Sequence, residues 1–497
     1  MCGIVGYIGQ SDAFPVLIEG LKRLEYRGYD SAGVALIGNQ DNLNVYKTKG
    51  KVSNLEAVAA DKDCSGHIGI AHTRWATHGE PSAANAHPHV SMSGELALVH
   101  NGIIENYQVL KEQLADKGYT FKSSTDTEVL VQLIDHYYQQ NGKDLVSAVC
   151  QALNDAIGAY AITVMEKKDP GHIVAARQSS PLVVGVGKDN KDFYIASDAT
   201  PIVEHTNKVV YLEDGEIADI RVGEELNIIN LEHASCSYTI KTVDLDISKL
   251  SKGGFDHYML KEIYEQPKSV QDTLRGRISE DGTKIVLPEL SWTPEEFKKF
   301  KKIFIVACGT AYHAGLVGKY YIEQLAGIPV SVDLASEYKY RTVPQLPNTL
   351  AIAISQSGET ADTIGAVKKA KELGFRTLAI CNVLGSSLTR TCDSTFFTHC
   401  GPEISVASTK AFTSQITSMY ALAAFLGQAN GNLSQTAFEK LYKELLALSK
   451  DMGEAVKLEY EVRHLTRKIY KADRFIFLGR NVNFPIALEG ALKLKEV

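Results

Sequence analysis

The chain has 497 residues, which is too long for one core and predicts about three domains at the usual ~100–200 residues each. Its 52 lysines and arginines against 59 aspartates and glutamates give a formal net charge of −7, so nucleic acid and anionic membrane surfaces are not expected partners. No apolar run approaches the ~18–20 residues that span a bilayer. The eight cysteines are scattered without metal-ligand spacing, which predicts free thiols, no bound metal and a cytoplasmic location.

Residues 1–240 alternate short β-rich segments with helical patterns. The predicted strands, mostly bounded by Gly, Asp or Asn, span 3–8, 31–37, 67–72, 95–100, 159–166, 172–177 and 192–196. The predicted helices span 12–24, 104–117, 126–139 and 143–155. Clustered strands with helices outside them predict an α+β layered domain over this range.

The pattern weakens over residues 241–256, where Ser251–Gly254 indicates a hinge, so this range is predicted to be a linker. A helix is predicted at 257–275. Short apolar strands then alternate with helices, the strands at 303–307, 329–333, 349–355 and 376–381 and the helices at 311–325, 360–373 and 409–428. This alternation predicts an α/β domain over 257–435, with a parallel sheet covered on both faces.

The order strand, glycine turn, helix starts at Lys302 and again at Arg474. We therefore expect a second, incomplete α/β unit over 436–497, because its last predicted helix reaches Val497 without a Gly or Asn stop signal. A lone strand and helix cannot bury both faces of a sheet, so the chain is expected to be truncated. The alternative is a short C-terminal helix that caps the first α/β domain.

Cysteine is the second residue of the chain. A small second residue usually permits removal of the initiator methionine, which would leave Cys2 with a free α-amine beside its own thiol. Because an N-terminal amine titrates at roughly 7.7–8.0, one residue could then supply both a nucleophile and its base. The alternative interpretation is that Cys2 is an incidental small residue on a frayed end.

Downstream clusters supply the groups that thiolate attack on an amide requires. The tetrahedral intermediate carries a negative oxygen, and the Asn101 side-chain amide with the Gly102 backbone N–H is a suitable pair of donors. Arg74 suits the α-carboxylate of an amino-acid substrate, and Asp126 suits its α-ammonium. Each has a plainer alternative: a hairpin turn at Asn101-Gly102, a helix N-cap at Asp126, and a surface salt bridge at Arg74.

Taken together, the segments 2–6, 74–79, 101–102 and 125–128 resemble the class II glutamine amidotransferase domain, which has the αββα N-terminal nucleophile fold. The resemblance covers about residues 1–240. It implies that Cys2 is the nucleophile, with its α-amine as base, and that Asn101 and Gly102 form the oxyanion hole. Glutamine would be held by Arg74, Thr77, His78 and Asp126. Trp75 would lie near the glutamine and gate ammonia, or else fill the core as an aromatic plug.

Three hydroxyl side chains lie among residues 355–360, Ser-Gln-Ser-Gly-Glu-Thr, which follow an apolar strand and open a helix. Backbone N–H groups at a helix start bind anions, and the hydroxyls add donors, so this loop suits a phosphate monoester. No Gly-Lys-Ser/Thr element follows, which argues against a nucleotide P-loop. Thr310, after another strand, is expected to face the same crevice. The alternative is ordinary helix capping by Ser357.

The second half of the chain resembles the sugar isomerase domain, which binds phosphosugars on a flavodoxin-like sheet. Sugar-phosphate binding is thereby implied for Thr310, Ser355, Gln356, Ser357 and Thr360, with Ala407 and Ser408 near the sugar. The resemblance further implies that Glu496 moves a proton between C1 and C2 with help from Lys493; the alternative is a solvated charged helix face. Ala311 stands where relatives often carry serine. The ring-opening histidine and Schiff-base lysine of the family would lie in a missing C-terminal region.

The pairing of these two modules is similar to the family of glutamine-dependent enzymes that make glucosamine 6-phosphate from fructose 6-phosphate. It implies glutamine and fructose 6-phosphate as substrates, internal transfer of ammonia, a homodimer and no cofactor. A truncated chain is expected to keep glutamine hydrolysis and sugar-phosphate binding but to make little amino sugar. Two other classes remain open, namely a phosphosugar-sensing binding protein and a class II amidotransferase that feeds a phosphoribosyl acceptor.

Overall fold

The computed structural model describes residues 2–25, 30–38, 40, 42–75, 80–243 and 252–496. The chain divides into two compact units, Met1–Ile247 (unit 1) and Ser248–Val497 (unit 2). The division lies within the range 241–256 that was predicted to be a linker. Among the described residues, no helix has the length and apolar character that crossing a membrane requires.

Unit 1 is built mainly of strands. Its strands are β1 (Gly3–Ile8), β2 (Ser31–Ile37), β3 (Leu43–Lys49), β4 (Ile68–Arg74), β5 (His89–Val90), β6 (Leu96–Ile104), β7 (Gly158–Glu166), β8 (His172–Gln178), β9 (Val183–Val186), β10 (Phe193–Ala196), β11 (Lys208–Tyr211), β12 (Glu216–Arg221), β13 (Asn227–Asn230) and β14 (Lys241–Thr242). Its helices are α1 (Ala13–Leu24), α2 (Val52–Ala59), α3 (Tyr107–Asp116), α4 (Asp126–Gln140) and α5 (Leu145–Asp155).

Two antiparallel sheets form the centre of unit 1. Within the described ranges, one sheet has eight strands in the order β14-β11-β9-β10-β1-β4-β2-β3, and the other has six in the order β13-β12-β8-β7-β6-β5. Apolar side chains of both sheets, such as Ile4 and Val99, share one core between them. Helices α1 and α2 cover the outer face of the first sheet, and α3 to α5 cover the second. The predicted αββα fold is confirmed.

The long apolar strands explain why the layers close over one another. All six residues of β1 are buried, because the strand lies in mid-sheet with helices on one face and the second sheet on the other. Strand β1 pairs antiparallel with β4, placing Gly3 opposite Thr73. This register brings Cys2, the residue before β1, beside Arg74, the last residue of β4.

Unit 2 alternates strands with helices. Its strands are β15 (Lys302–Ala307), β16 (Val330–Leu334), β17 (Thr349–Ser355), β18 (Arg376–Cys381) and β19 (Ser394–Phe397). Its helices are α6 (Tyr258–Leu274), α7 (Pro294–Phe297), α8 (Gly309–Ala326), α9 (Ala335–Tyr340), α10 (Ala361–Glu372), α11 (Ser387–Thr391), α12 (Lys410–Asn430), α13 (Gln435–Val456), α14 (Glu459–Ile469) and α15 (Asn483–Glu496).

The strands of unit 2 form one parallel sheet in the order β16-β15-β17-β18-β19. One face packs against α8 and α12, and the other packs against α9 and α10. This order, with the first strand between the second and the third, is that of flavodoxin-like sheets, whose ligands bind where the strand order reverses. The predicted α/β fold is confirmed, and the reversal lies between β15 and β17.

The C-terminal segment differs from prediction in one respect. Residues 474–480 form no strand among the described residues, and Ile476 and Leu478 are 85% and 89% exposed. A strand needs a neighbour to pair its N–H and C=O groups, and no described segment pairs with this one, so the predicted strand is wrong here. Helix α15 is present and packs against α8. The incomplete second α/β unit stays a prediction.

Candidate active sites

Cys2 is held by the backbone of the neighbouring strand end. The Trp75 N–H donates to Sγ of Cys2 at 3.3 Å, and Sγ lies 3.5 Å from the Trp75 carbonyl oxygen. Burial raises the pKa of the Cys2 thiol, while the Trp75 N–H and the nearby Arg74 guanidinium act in the opposite direction. Cys2 therefore does not lie on a frayed end. The Trp75 side chain is 44% exposed, so it is not an aromatic core plug.

Asn101 reaches Cys2 from the other sheet. Its Nδ2 atom donates to the Cys2 carbonyl oxygen at 3.2 Å and to Oγ of Ser197 at 3.0 Å. Asn101 and Gly102 lie inside β6, opposite Ala161 and Tyr160 of β7, so the hairpin-turn alternative is wrong. The amide that was predicted to stabilise an oxyanion thus contacts the backbone of the predicted nucleophile.

Gly102 has a backbone conformation that only glycine adopts easily. Its φ is +135°, in a region that residues with a Cβ atom rarely enter. A Cβ added there would overlap the Ala159 carbonyl oxygen. Glycine therefore lets β6 approach β7 at this point and brings its N–H next to Asn101.

His72 fixes the orientation of the Asn101 amide. Its Nε2 atom lies 2.8 Å from Oδ1 of Asn101, and because that oxygen can only accept, Nε2 carries the hydrogen. Burial lowers the pKa of His72 to about 3, so the ring is neutral near pH 7. With Oδ1 held in this way, Nδ2 must point toward Cys2 and Ser197. Neither His72 nor Ser197 was predicted as a site residue.

Arg74 and Asp126 are both buried. Neither the surface position considered for Arg74 nor the helix N-cap considered for Asp126 agrees with the structure. Arg74 is 4% exposed at the end of β4, so it is not a surface residue. The N-cap of α4 is Thr125, whose side chain accepts from the Glu128 N–H. Asp126 instead accepts from the Ile104 N–H at 2.8 Å, which ties α4 to the end of β6. Thr77 and His78 lie outside the described residues.

The hydroxyl-rich loop of unit 2 lies at the reversal of strand order. Strands β15 and β17 are parallel neighbours, so residues 308–310 and 355–360 leave the same edge of the sheet, as predicted. The Gly358 N–H donates to Oγ of Ser355 at 3.0 Å, and the Ser355 and Thr360 hydroxyls lie 3.2 Å apart. Thr360 is the N-cap of α10 and makes no side-chain capping bond, so Ser357 does not cap this helix.

The side chains of Gln356 and Ser357 are half-buried in this loop. Ser357 accepts from the Glu359 N–H at 3.2 Å. Gly358 has φ of +69°, and a Cβ there would overlap the Ser386 hydroxyl. Glycine is therefore required for the tight turn that presents the hydroxyls at the start of α10.

Ala407 and Ser408 lie in the loop before α12, and the buried carboxylate of Glu403 helps to hold this loop in place. Glu403 accepts from Oγ of Ser408 at 2.9 Å and from the Thr409 and Ala411 N–H groups. Burial raises the pKa of Glu403, against these hydrogen bonds. The described hydrogen bonds of Ala407 and Ser408 stay within this loop and do not reach residues 355–360.

Lys493 and Glu496 form an ion pair on α15, with Nζ and Oε2 2.5 Å apart. The Lys493 side chain is 18% exposed, so the pair is not a fully solvated surface. One turn earlier on α15, Glu489 accepts from Oγ1 of Thr310 at 2.8 Å. Glu489 was not predicted as a site residue. Because a hydroxyl has one hydrogen, Thr310 in this arrangement offers only acceptor lone pairs to a ligand.

Comparisons with known proteins agree with the division of the chain into two units. The glutamine amidotransferase domain model matches residues 57–229, and the SIS domain model matches residues 296–425. The chain is 55% identical to the glutamine–fructose-6-phosphate aminotransferase [isomerizing] of Bacteroides thetaiotaomicron, over all of this chain and 81% of that protein. It is 46% identical to the protein of the same name from Clostridium acetobutylicum, over all of this chain and 80% of that protein.

A solved structure with a related sequence covers half of the chain. It is the C-terminal domain of the glucosamine-fructose-6-phosphate aminotransferase of Francisella tularensis, with 42% identity and a TM-score of 0.48. The match covers 50% of this chain and 69% of that one.

Proposed function

The chain belongs to the family of isomerizing glutamine–fructose-6-phosphate aminotransferases, and from this we propose that unit 1 releases ammonia from glutamine and unit 2 uses it to make glucosamine 6-phosphate from fructose 6-phosphate. The observation that carries the proposal is the contact between the Asn101 amide and the backbone of Cys2. This contact brings together an oxyanion donor and a nucleophile that lie on two different sheets. A sugar sensor or a structural domain would not need this arrangement.

In unit 1, Cys2 attacks the side-chain amide of glutamine after Met1 has been removed. The α-amine takes the thiol proton and passes it to the leaving ammonia. As the oxyanion forms, it shares the Asn101 hydrogen that points toward the Cys2 carbonyl oxygen, and the Gly102 N–H is the second donor. Water then hydrolyses the glutamyl thioester and restores the thiol.

Buried charges in unit 1 select an amino-acid substrate. Arg74 pairs with the α-carboxylate of glutamine and Asp126 with its α-ammonium, and Thr77 and His78 complete the glutamine site. Trp75 stands beside Cys2 with an exposed ring and gates the release of ammonia. Both side chains are buried, and opposite charges at the two ends of the site suit the two charged groups of an amino acid.

In unit 2, the start of α10 with Ser355, Gln356, Ser357 and Thr360 holds the phosphate through backbone N–H groups and hydroxyls. Thr310 and the loop with Ala407 and Ser408 bind the sugar. Ammonia adds to C2 of fructose 6-phosphate, the C2 oxygen leaves as water, and Glu496 moves a proton between C1 and C2, assisted by Lys493. The hydrolysis of glutamine, the addition of ammonia and the proton transfer together need no external oxidant or reductant.

We further propose a cytoplasmic location and a homodimer. All eight cysteines are free thiols, which suits a reducing compartment. The dimer rests on the family resemblance, and sedimentation of the chain at several concentrations tests it.

Glutamate release tests the proposal directly. The chain is incubated with glutamine, with and without fructose 6-phosphate, and compared with Cys2→Ala and with Cys236→Ala, a matched cysteine in the same unit. Glutamate release is expected from the parent chain and Cys236→Ala, with stimulation by the sugar phosphate, and none from Cys2→Ala. Sugar binding without glutamate release in any form would indicate a sensor instead. Stimulation by a phosphoribosyl substrate alone would indicate the other amidotransferase class.

A further inference from the structure

Asn85 lies in the segment between β4 and β5 and uses both ends of its side-chain amide. The residue is 7% exposed, although residues 80–88 form neither helix nor strand. Its Nδ2 atom donates to the Glu80 carbonyl oxygen at 2.9 Å. Its Oδ1 atom accepts from the Ser124 N–H at 3.1 Å and from the Ser124 hydroxyl at 3.3 Å. One side chain therefore joins this segment to the turn before α4.

The backbone partners of Asn85 determine which way its amide faces. The Glu80 carbonyl oxygen can only accept, so the NH2 group lies beside it. The Ser124 N–H can only donate, so the amide oxygen lies beside Ser124. A reversed amide would satisfy neither backbone group. Asn85 is thus suited to hold two segments of the chain at a fixed separation.

Two further contacts hold the turn over residues 122–125, which leads directly into Asp126. The Glu128 carboxylate accepts from the first two N–H groups of the turn, at 2.8 Å and 2.6 Å. From the start of β5, Nε2 of His89 lies 3.0 Å from Oγ1 of Thr125. Residues near β5 therefore contact the turn at both of the positions that precede Asp126.

The position of this turn determines where the Asp126 carboxylate lies. Asp126 is 4% exposed and is the first residue of α4. Its Oδ2 atom accepts from the Ile104 N–H at 2.8 Å, which holds it against the end of β6. Ser124 stands two positions earlier in the chain, so a shift of the turn moves the carboxylate. Arg74, at the end of β4, is placed by strand pairing instead.

We propose that Asn85 is a positioning residue for glutamine binding: by joining Ser124 to the Glu80 backbone, it places the Asp126 carboxylate where it meets the α-ammonium of glutamine. This inference rests on the role proposed above for Asp126 in the glutamine site. Asn85 itself does not contact the substrate. Its loss should therefore weaken the binding of glutamine and leave the chemistry at Cys2 intact.

Glutamine kinetics isolate this role. The constants kcat and KM for glutamate release are measured for the parent chain, for Asn85→Ala and for Asn85→Asp, which keeps an acceptor for Ser124 but not the donor to Glu80. Asn54→Ala is the matched control, because Asn54 is exposed and also donates to a backbone carbonyl. Asp126→Asn and the double variant Asn85→Ala/Asp126→Asn complete a cycle.

Two measurements that need no glutamine report on the rest of the site. The melting temperature shows whether each variant is folded. The rate at which iodoacetamide alkylates Cys2, read by mass spectrometry of the N-terminal peptide, shows whether the nucleophile keeps its surroundings.

The proposal predicts that Asn85→Ala raises KM for glutamine about tenfold and leaves kcat within about threefold of the parent value. Cys2 should be alkylated at the parent rate. Asn85→Asp should raise KM less, and Asn54→Ala should match the parent chain throughout. Because Asn85 acts through Asp126, the double variant should have the same kcat/KM as Asp126→Asn.

An unchanged KM in Asn85→Ala, or effects of the two substitutions that multiply in the double variant, would overturn the inference and leave the proposed glutaminase standing. A lower kcat with slower alkylation of Cys2 would also overturn it, since the whole site would then be disturbed. If Asn85→Ala does not fold, the parent KM in Asn85→Asp would count against the inference in the same way. No glutamate release from the parent chain would overturn the proposed glutaminase and this inference with it.

Discussion

Nε2 of His72 lies 2.8 Å from Oδ1 of Asn101, and this single hydrogen bond determines which way the Asn101 amide faces. An amide that turned over would present its oxygen to Cys2, and an oxygen repels a developing oxyanion instead of stabilising it. We therefore infer that His72 supports the proposed glutaminase site by orienting Asn101.

Replacing His72 with alanine is expected to lower kcat for glutamine hydrolysis by about 10- to 100-fold, because a misdirected oxyanion donor loses part of the ~10²–10³-fold that one such donor contributes. KM for glutamine should change little, since Arg74 and Asp126 are untouched. Steady-state glutamate release measures both constants. His67→Ala, at an exposed histidine of the same unit, is the control, and equal activity of the two variants would contradict the assignment.

Ser197 supports the other side of the same amide. Its Oγ atom accepts from Nδ2 of Asn101 at 3.0 Å and from the Ile4 N–H at 2.7 Å. Ser197→Ala leaves two buried donors without their acceptor, each costing about 1–3 kcal/mol. We expect a lower melting temperature of unit 1 together with an approximately tenfold loss of glutaminase activity. Ser53→Ala, on the exposed side of α2, should alter neither, and an unchanged Ser197→Ala protein would refute the role.

Much of the fold could be predicted because apolar runs mark buried strands. The predicted bounds of β1 and β17 agree with the structure, since each is a continuous apolar segment bounded by polar or glycine residues. Strands β3, Leu43–Lys49, and β9, Val183–Val186, were not predicted. The strand predicted to start at Arg474 is absent from the described part of the chain because pairing depends on a neighbouring strand, which local sequence does not encode.

The chemistry of the sites was predictable only where a motif carries it. Cys2, Asn101 and residues 355–360 were found because their residue types and spacing suit a reaction. The supporting residues His72, Ser197 and Glu489 were not, because their partners lie 29, 96 and 179 positions away in the chain. Such contacts depend on which strands and helices become neighbours, and that is decided by the packing of the whole unit.

A buried ion-pair cluster in unit 1 makes its stability depend on pH. Nδ1 of His172 lies 2.9 Å from Oε1 of Glu166, and Nε2 lies 2.8 Å from Oδ1 of Asp219. Burial and the charge of the nearby Arg221 lower the pKa of His172. The hydrogen bonds to Asp219 and Glu166 outweigh both effects, so the pKa of His172 lies above its usual 6.5. Glu166 and Asp219 are hydrogen-bonded to the two ring nitrogens of His172, and Arg221 forms an ion pair with Asp169 at 2.7 Å. This cluster is therefore better suited to ion pairs than to a metal ion.

The sign of the pH effect follows from linkage. A group whose pKa is higher in the folded state stabilises that state fully below its unfolded pKa, and the contribution is lost as pH rises through the folded pKa. The free energy of unfolding of unit 1 should therefore fall as pH rises above about 6.5, and His172→Gln should lose this slope. Denaturation at pH 6 and pH 8, followed by Trp75 fluorescence in a Trp292→Phe background, measures it. A slope that survives in His172→Gln would assign it to another group.

The loop that carries Ala407 and Ser408 depends on a carboxylate from α6. Oε1 of Glu262 accepts from the Ile404 N–H at 2.5 Å and from the Ser405 N–H at 3.0 Å, and Glu262 is 2% exposed. The Ser405 hydroxyl also donates to Glu262. This loop has no regular secondary structure of its own, so these bonds set the position of its backbone.

Glu262→Ala removes the acceptor for two backbone N–H groups, at a cost of about 1–3 kcal/mol for each donor left unpaired. We expect the loop to shift and fructose 6-phosphate to bind about tenfold more weakly by calorimetry, with glutamate release in the absence of sugar unchanged. Glu262→Gln keeps one acceptor oxygen and should show a smaller effect, whereas Glu295→Ala, at an exposed position, should show none. If Glu262→Ala bound the sugar phosphate as tightly as the parent chain, the loop would not contribute to the sugar site, and the roles proposed for Ala407 and Ser408 would have to be withdrawn.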